Sequence, residues 1–356
     1  MKPDLVALQL TQKATITGSE TDVKSIQDTE IEAELFIKNK WFLIWIRALR
    51  IYQWPKNLLM FVPLLTSFSF SDSRKIVISL YGFLAFGLVA SATYLLNDLI
   101  DLDSDRHHPR KRFRPLASGA IGVLPAIATM LIMLCFGLVL AFNISQSFGT
   151  AVVAYVAITI AYSLVLKRKI MIDVLCLAGL YTWRIIAGAI ALNLDTSNWL
   201  LAFSMFLFLS LALMKRCAEL ISLAELSQTT AKGRGYQVSD TAILSAFGAA
   251  SGYLAVLVIV FYIDTPTTTI NYSHPQVLWL LSPLLFYWIS RLWIKTTRGE
   301  MHDDPIVYAA RDMCSWLVLI TFCAITLFAW RMPKFNLWNH SPEKIVTVHY
   351  ALPFIR

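Results

Sequence analysis

Residues 97–119 read NDLIDLDSDRHHPRKRFRPLASG, four aspartates followed within a few positions by five lysines and arginines. The chain on either side is almost wholly apolar. Of the 356 residues, 57% are hydrophobic and only 15% charged, where a soluble domain carries about a quarter charged residues. So much apolar surface does not fit inside a water-facing globule, and the stretch reads as the polar mouth of a membrane helix. The net charge of +8 sits mainly in short loops beside apolar runs, so membrane lipid rather than nucleic acid is the expected environment. Cys135, Cys176, Cys217, Cys314 and Cys323 show no C-x-x-C spacing, which indicates packing residues rather than a disulfide framework or a zinc site.

A membrane helix needs about 20 mostly apolar residues. Nine segments qualify, near 43–67, 76–97, 121–142, 147–166, 170–192, 199–216, 242–263, 277–295 and 313–331. The first is the least regular because Pro55 and Pro63 interrupt it, a defect that neighbouring helices can make tolerable. Loops after the second, fourth, sixth and eighth spans carry Lys and Arg; those after the third, fifth and seventh carry none. Arg74 and Lys75, after the first span, break the pattern. The positive-inside rule then puts the N-terminus and nearly all the working polar residues in the cytoplasm. The expected organisation is an all-α integral protein of the inner (cytoplasmic) membrane. Residues 1–40 form a polar leader without signal-peptide character, 41–332 the membrane domain, and 333–356 a short tail.

If the second span continues past its apolar part, Asn97, Asp98, Asp101 and Asp105 share one quadrant of the helix surface at about 100° per residue, and Asp103 points away. Carboxylates converging from one face repel unless a cation lies among them. An oxygen-only set of this kind suits Mg²⁺, which completes its shell with water and substrate phosphate. Loops that flank membrane helices are often charged, and that alone accounts for a few acids; the spacing, with Arg106, Arg110, Lys111, Arg112 and Arg114 close behind, argues for more. Arginine forks and lysine point charges are natural phosphate partners. His107 and His108 read as interfacial, because Mg²⁺ prefers oxygen.

A second polar cluster follows four spans later, in KRCAEL (215–220) and RGYQVSD (234–240). Lys215 and Glu219 at i, i+4 can form a plain salt bridge. Alternatively Glu219, aided by Asp240 or Glu225, completes the metal site from the facing helix. YSLVLKRK places Lys167 beside Tyr162, RGEMHDDPIVYAARD supplies Asp303, Asp304, Arg311 and Asp312, and WPKN offers Lys56 and Asn57 at a kink. Asp173 and Arg184 lie inside the fifth span, and ionisable residues there are functional candidates by default.

The pattern N-D-x-x-D-x-x-x-D with HPRKRFRPLASG, followed by the second polar motif, resembles the UbiA superfamily of membrane prenyltransferases across nearly the whole membrane portion. The resemblance implies a nine-helix bundle with a central, lipid-open cavity. It implies Mg²⁺ held at Asn97, Asp98, Asp101, Asp105 and Asp240, and chemistry supported by Asp98, Asp101, Asp105 and Glu219. Diphosphate contacts fall to Lys111, Arg112 and Arg114, with Lys56, Asn57, Lys167, Lys215, Arg216 and Tyr236 around them. KRCAEL and RGYQVSD depart from the usual aspartate-rich second motif. They resemble the branch that includes decaprenyl-phosphate phosphoribosyltransferase, in which phosphoribosyl pyrophosphate is the donor and a polyprenyl phosphate the acceptor. Similar modules follow a phosphatase-like domain; a forty-residue leader is too short for one, so a partner phosphatase would be separate. The alternatives are a quinone-type aromatic prenyltransferase and, from another class, a transporter, although transporters place their ionisable groups near the bilayer midplane. A CDP-alcohol phosphotransferase is disfavoured, because its acidic motif is not present.

Overall fold

The computed structural model describes residues 41–107, 111–225, 227, 235–301 and 304–331. The expected leader and tail lie outside these residues, as do His108, Arg110, Lys232, Arg234 and Asp303. Every regular element among the described residues is helical. Eight helices are long and apolar enough to cross a membrane: α1 (Ser73–Ile100), α2 (Val123–Ile144), α3 (Gln146–Leu164), α4 (Ile172–Ala191), α5 (Asn198–Glu225), α6 (Val238–Ile263), α7 (Pro275–Thr297) and α8 (Met313–Arg331).

The first of the nine expected spans is not an unbroken helix. Residues 41–48 are helical, Arg50 turns the chain in the left-handed region (φ 51°), and Ile51–Phe61 is a 3₁₀ stretch containing Pro55. A short α-helix, Val62–Thr66, follows with Pro63 in its first turn. Each proline removes a backbone donor, which explains the break. The segment still runs the length of the bundle beside α1. Arg50 bonds Asp98 near one end of α1, Trp54 Nε1 donates to Ser91 Oγ at 3.0 Å, and Phe68 stacks on Trp330 at the far end of α8. The sixth expected span is longer than its apolar run suggests, since α5 continues to Glu225 and carries Glu219 within the helix.

The turns obey ordinary capping rules. Asp72 accepts from the N–H groups of Arg74 and Lys75 to start α1, and Ser145 accepts from Phe148 N–H to start α3 only a residue after α2 ends. That abrupt turn makes α2 and α3 an antiparallel pair. α1 is the central helix, with 56% of its apolar window buried, against 11% for α2. One cluster of buried side chains joins α1, α3 and α4 (Phe86, Phe148, Tyr155, Leu180), and a larger one joins α4 to α7 (Val174, Met214, Ile289, Leu292). Helix α4 contributes to both clusters and forms the seam.

Lipid tails are as apolar as leucine, so close backbone approach and interhelical hydrogen bonds do much of the packing. A Cβ at Gly188 would stand 2.2 Å from the Met60 carbonyl oxygen, and one at Gly248 would stand 2.1 Å from the Trp293 ring. Trp293 Nε1 donates to Ser210 Oγ, and Ser251 Oγ to the Phe206 carbonyl, tying α7 and α6 to α5.

Candidate functional site

The end of α1 behaves nearly as the spacing predicts. Asp101 closes the helix and Leu102–His107 resumes it, with Asp101 N–H donating to Asn97 and Asp105 N–H to Asp101. The i→i−4 register therefore survives the break, and Asp98 and Asp105 are both buried. Asp103, with 94% of its side chain exposed, points away. Cations from three separate elements close the carboxylates. Arg50 reaches Asp98 at 2.5 Å, Arg114 bridges Asp98 (3.1 Å) and Asp105 (2.5 Å), and Lys167 chelates Asp101 with both contacts at 3.0 Å. A left-handed conformation at a bulky residue such as Arg50 costs about 1–3 kcal/mol and persists only when its surroundings fix it.

Behind this rim lies a cavity of about 210 Å³. Five of its wall residues are cations: Arg50, Lys56, Arg184, Lys215 and Arg216. Asn97 and Tyr94 of α1 line it, and α3 supplies Tyr155, Thr159 and Tyr162 from one stripe. Lys56 and Lys215 come from opposite parts of the chain and meet on one Asp304 oxygen, at 2.9 and 2.7 Å. Burial alone would raise the Asp304 pKa, but the two ammonium groups hold it well below the usual carboxylate range. Arg216 is fully buried between Asp173 (2.8 Å) and Glu219. Tyr236 donates to Asp173 and accepts from Met171 N–H. Burial, reinforced by the bond to Asp173, pushes the Tyr236 phenol above its ordinary value.

The expected site residues thus divide by position. Asn97, Lys56, Lys215 and Arg216 line the cavity, and Asp98, Asp101, Asp105, Arg114 and Lys167 form its ion-paired rim. Asn57 stands behind the wall and accepts from Arg184 Nε at 3.0 Å. Glu219 is engaged by Arg216, and Tyr236 is turned into the Asp173 network. Asp240 closes a local capping box with Gln237, Arg112 lies over the Phe113 ring, and Lys111 sits in the short 3₁₀ turn Lys111–Phe113. Sequence reasoning missed Arg50, Gln53, Tyr94, Tyr155, Thr159 and Tyr181 as wall residues. A signal was present. Tyr155, Thr159 and Tyr162 recur at i, i+4 and i+7, a polar stripe in an otherwise apolar helix.

The donor set at the rim suits a hard cation in kind, since every side chain of the motif offers oxygen. Among the described residues, however, no three His, Cys, Asp or Glu side chains converge closely enough to hold a metal ion. The rim cations hold the carboxylates, so a metal ion bound there would have to displace Arg50, Arg114 or Lys167.

Residues 59–318 match the profile described as the UbiA prenyltransferase family. An uncharacterized protein of Sinorhizobium fredii is 38% identical over 77% of this chain and 53% of its own length. The nodulation protein NoeC of Azorhizobium caulinodans is 34% identical over 78% of this chain and 91% of its own length. Decaprenyl-phosphate phosphoribosyltransferase of Mycobacterium tuberculosis is 32% identical over 49% of this chain and 59% of its own length. The chain therefore spans little more than half the length of the first and third of these relatives. Among solved structures, a UbiA homolog from Archaeoglobus fulgidus bound to GPP and Mg²⁺ superposes with a TM-score of 0.57, covering 80% of this chain and 99% of that one. At 17% identity the likeness is one of fold.

Proposed function

The chain belongs to the UbiA prenyltransferase family, and from that premise we propose that it is an integral membrane transferase that takes a diphosphate donor at the charged end of its bundle. We further propose that the donor is phosphoribosyl pyrophosphate or a close analogue, and that the acceptor is a polyprenyl phosphate. One observation supports this choice over an isoprenoid diphosphate donor. The cavity is small and lined by five cations and several phenols, which suits a compact, highly anionic, hydroxylated ligand. The likeness to decaprenyl-phosphate phosphoribosyltransferase points the same way.

In this reading Lys56, Lys215 and Arg216 take the phosphate charge, and the cavity phenols and Asn97 meet donor hydroxyls. Asp98, Asp101 and Asp105 are the carboxylates that would hold Mg²⁺, which when bound supplies charge neutralisation to the departing diphosphate. The anomeric carbon–oxygen bond to diphosphate breaks as an oxygen of the lipid phosphate bonds to that carbon, and pyrophosphate leaves. The acceptor oxygen is already anionic, so no general base is needed. Preorganised cations stabilise the charge that builds on the leaving group, and the cavity walls hold the reacting atoms in register. The positive-inside pattern supports a cytoplasmic location for this end.

Membranes containing the protein, given labelled phosphoribosyl pyrophosphate, polyprenyl phosphate and Mg²⁺, are expected to yield a labelled lipid. Absence of label transfer, with transfer from an isoprenoid diphosphate to an aromatic acceptor instead, overturns the donor assignment.

A further inference from the structure

The bundle holds a second cavity, of about 460 Å³, toward the opposite end, and it shares no wall residue with the first. Its walls are mainly apolar, for example Val62, Ala189, Phe203 and Ile259. Three elements run past both cavities in sequence. On α4, Leu177, Leu180, Tyr181 and Arg184 face the charged chamber and Ala189 the apolar one; on the broken first segment Lys56 faces the former and Val62 the latter; on α5 the order is Lys215 and then Phe203. Whatever separates the cavities therefore lies near Arg184, Asn57 and the contact between Gly188 and the Met60 carbonyl.

Arg184 is buried roughly 16 Å along α4 from Asp173, by the rise per residue of an α-helix. Its guanidinium is bonded in three directions. Nε donates to Asn57 Oδ1 (3.0 Å), one terminal nitrogen to the Leu180 carbonyl (2.8 Å), and the other to the Tyr155 hydroxyl (2.9 Å). The rings of Tyr155, Tyr181 and Phe86 lie within 5.2 to 5.7 Å of its central carbon. A charge so deep is expensive unless every donor is satisfied, and here each nitrogen has a partner. The result is a rigid, polar floor to the charged chamber.

We propose that Arg184 is the specificity-determining residue of the chamber. Its guanidinium, clamped by Asn57 and Tyr155, closes the chamber against the apolar cavity, so a compact diphosphate fits above it and an isoprenoid chain cannot descend through the core. The inference rests on the proposed donor reading but addresses a different property, the response to chain length.

The test uses the full-length protein in nanodiscs with Mg²⁺. Affinities are measured for dimethylallyl, geranyl and farnesyl diphosphate and for phosphoribosyl pyrophosphate, in wild type and in Arg184→Met. Partitioning of the longer probes into nanodisc lipid is common to both proteins and cancels in the comparison. The farnesyl-to-dimethylallyl affinity ratio is expected to rise about tenfold or more in Arg184→Met, because a few newly buried methylene groups suffice for that change. A folded Arg184→Met protein, with unchanged elution and melting, whose ratio equals that of wild type overturns the proposal. Should that variant not fold, Asn57→Ala, which releases only the Nε contact, is expected to shift the ratio in the same direction by a smaller factor; an unchanged ratio there overturns the proposal equally. Failure of the donor reading has a separate signature, namely wild-type protein binding phosphoribosyl pyrophosphate no better than dimethylallyl diphosphate, whatever the chain-length response.

Discussion

The two ends of the bundle use polar side chains differently. At the charged end the contacts join distant parts of the chain: Lys56 and Lys215 to Asp304, Lys167 to Asp101, Arg184 to Asn57. At the opposite end they are mostly local. Thr268 donates to the nearby Tyr262 carbonyl and Asn143 to the carbonyl one turn back, while Asp72 and Ser145 each accept from backbone N–H groups at the start of their own helices. Local bonds satisfy backbone groups that any helix end exposes. Long-range ionic bonds cost desolvation that folding alone does not require. That asymmetry marks the charged end as the built site.

The most severe test of this contrast is Asp98→Asn, which leaves Arg50 and Arg114 without their shared anion. Turnover is expected to fall by at least about 10²-fold, the scale of losing one preorganised electrostatic element, as read in the label-transfer assay. Next, Lys215→Met removes a charge from the cavity wall, and the donor KM is expected to rise about tenfold, in keeping with a lost hydrogen bond to a charged group.

Asp304 offers a pH-dependent test. Its folded-state pKa lies below the unfolded value because Lys56 and Lys215 outweigh burial, so its pairing stabilises the protein above the ordinary carboxylate range. That contribution is lost as pH falls below about 4 toward the depressed value. The melting difference between wild type and Asp304→Asn is therefore expected to be largest near neutrality and to shrink in acid. At the other end, Thr268→Val should cost only about 1 kcal/mol of stability and leave turnover unchanged. Asp103→Ala, at an exposed position outside the rim, should be silent in both assays; a loss comparable to that at Asp98 would break the assignment of the helix face.

Much of this was legible beforehand. The apolar runs located eight unbroken helices because length and hydropathy decide them locally. The aspartate spacing anticipated the i, i+4 register that runs from Asn97 through Asp101 to Asp105 across the end of α1 and the short helix after it, with Asp103 turned outward. What escaped was non-local. That Arg50 would be the partner of Asp98, or Asp304 the partner of two lysines, depends on which helices pack together, and no spacing within one helix encodes it. The first span was overestimated because hydropathy counts side chains, whereas Pro55 and Pro63 act on backbone donors. Tyr155 of α3 was passed over because an aromatic in a membrane helix reads as apolar until its hydroxyl is placed.

The most direct measurement is an experimental structure of the full-length protein in lipid with phosphoribosyl pyrophosphate and Mg²⁺ present. The expected result is diphosphate density among Lys56, Lys215 and Arg216, with the metal ion on the carboxylates of Asp98, Asp101 or Asp105. Density for the ligand at the opposite end of the bundle, or a charged chamber that stays empty at saturating ligand, would contradict the account.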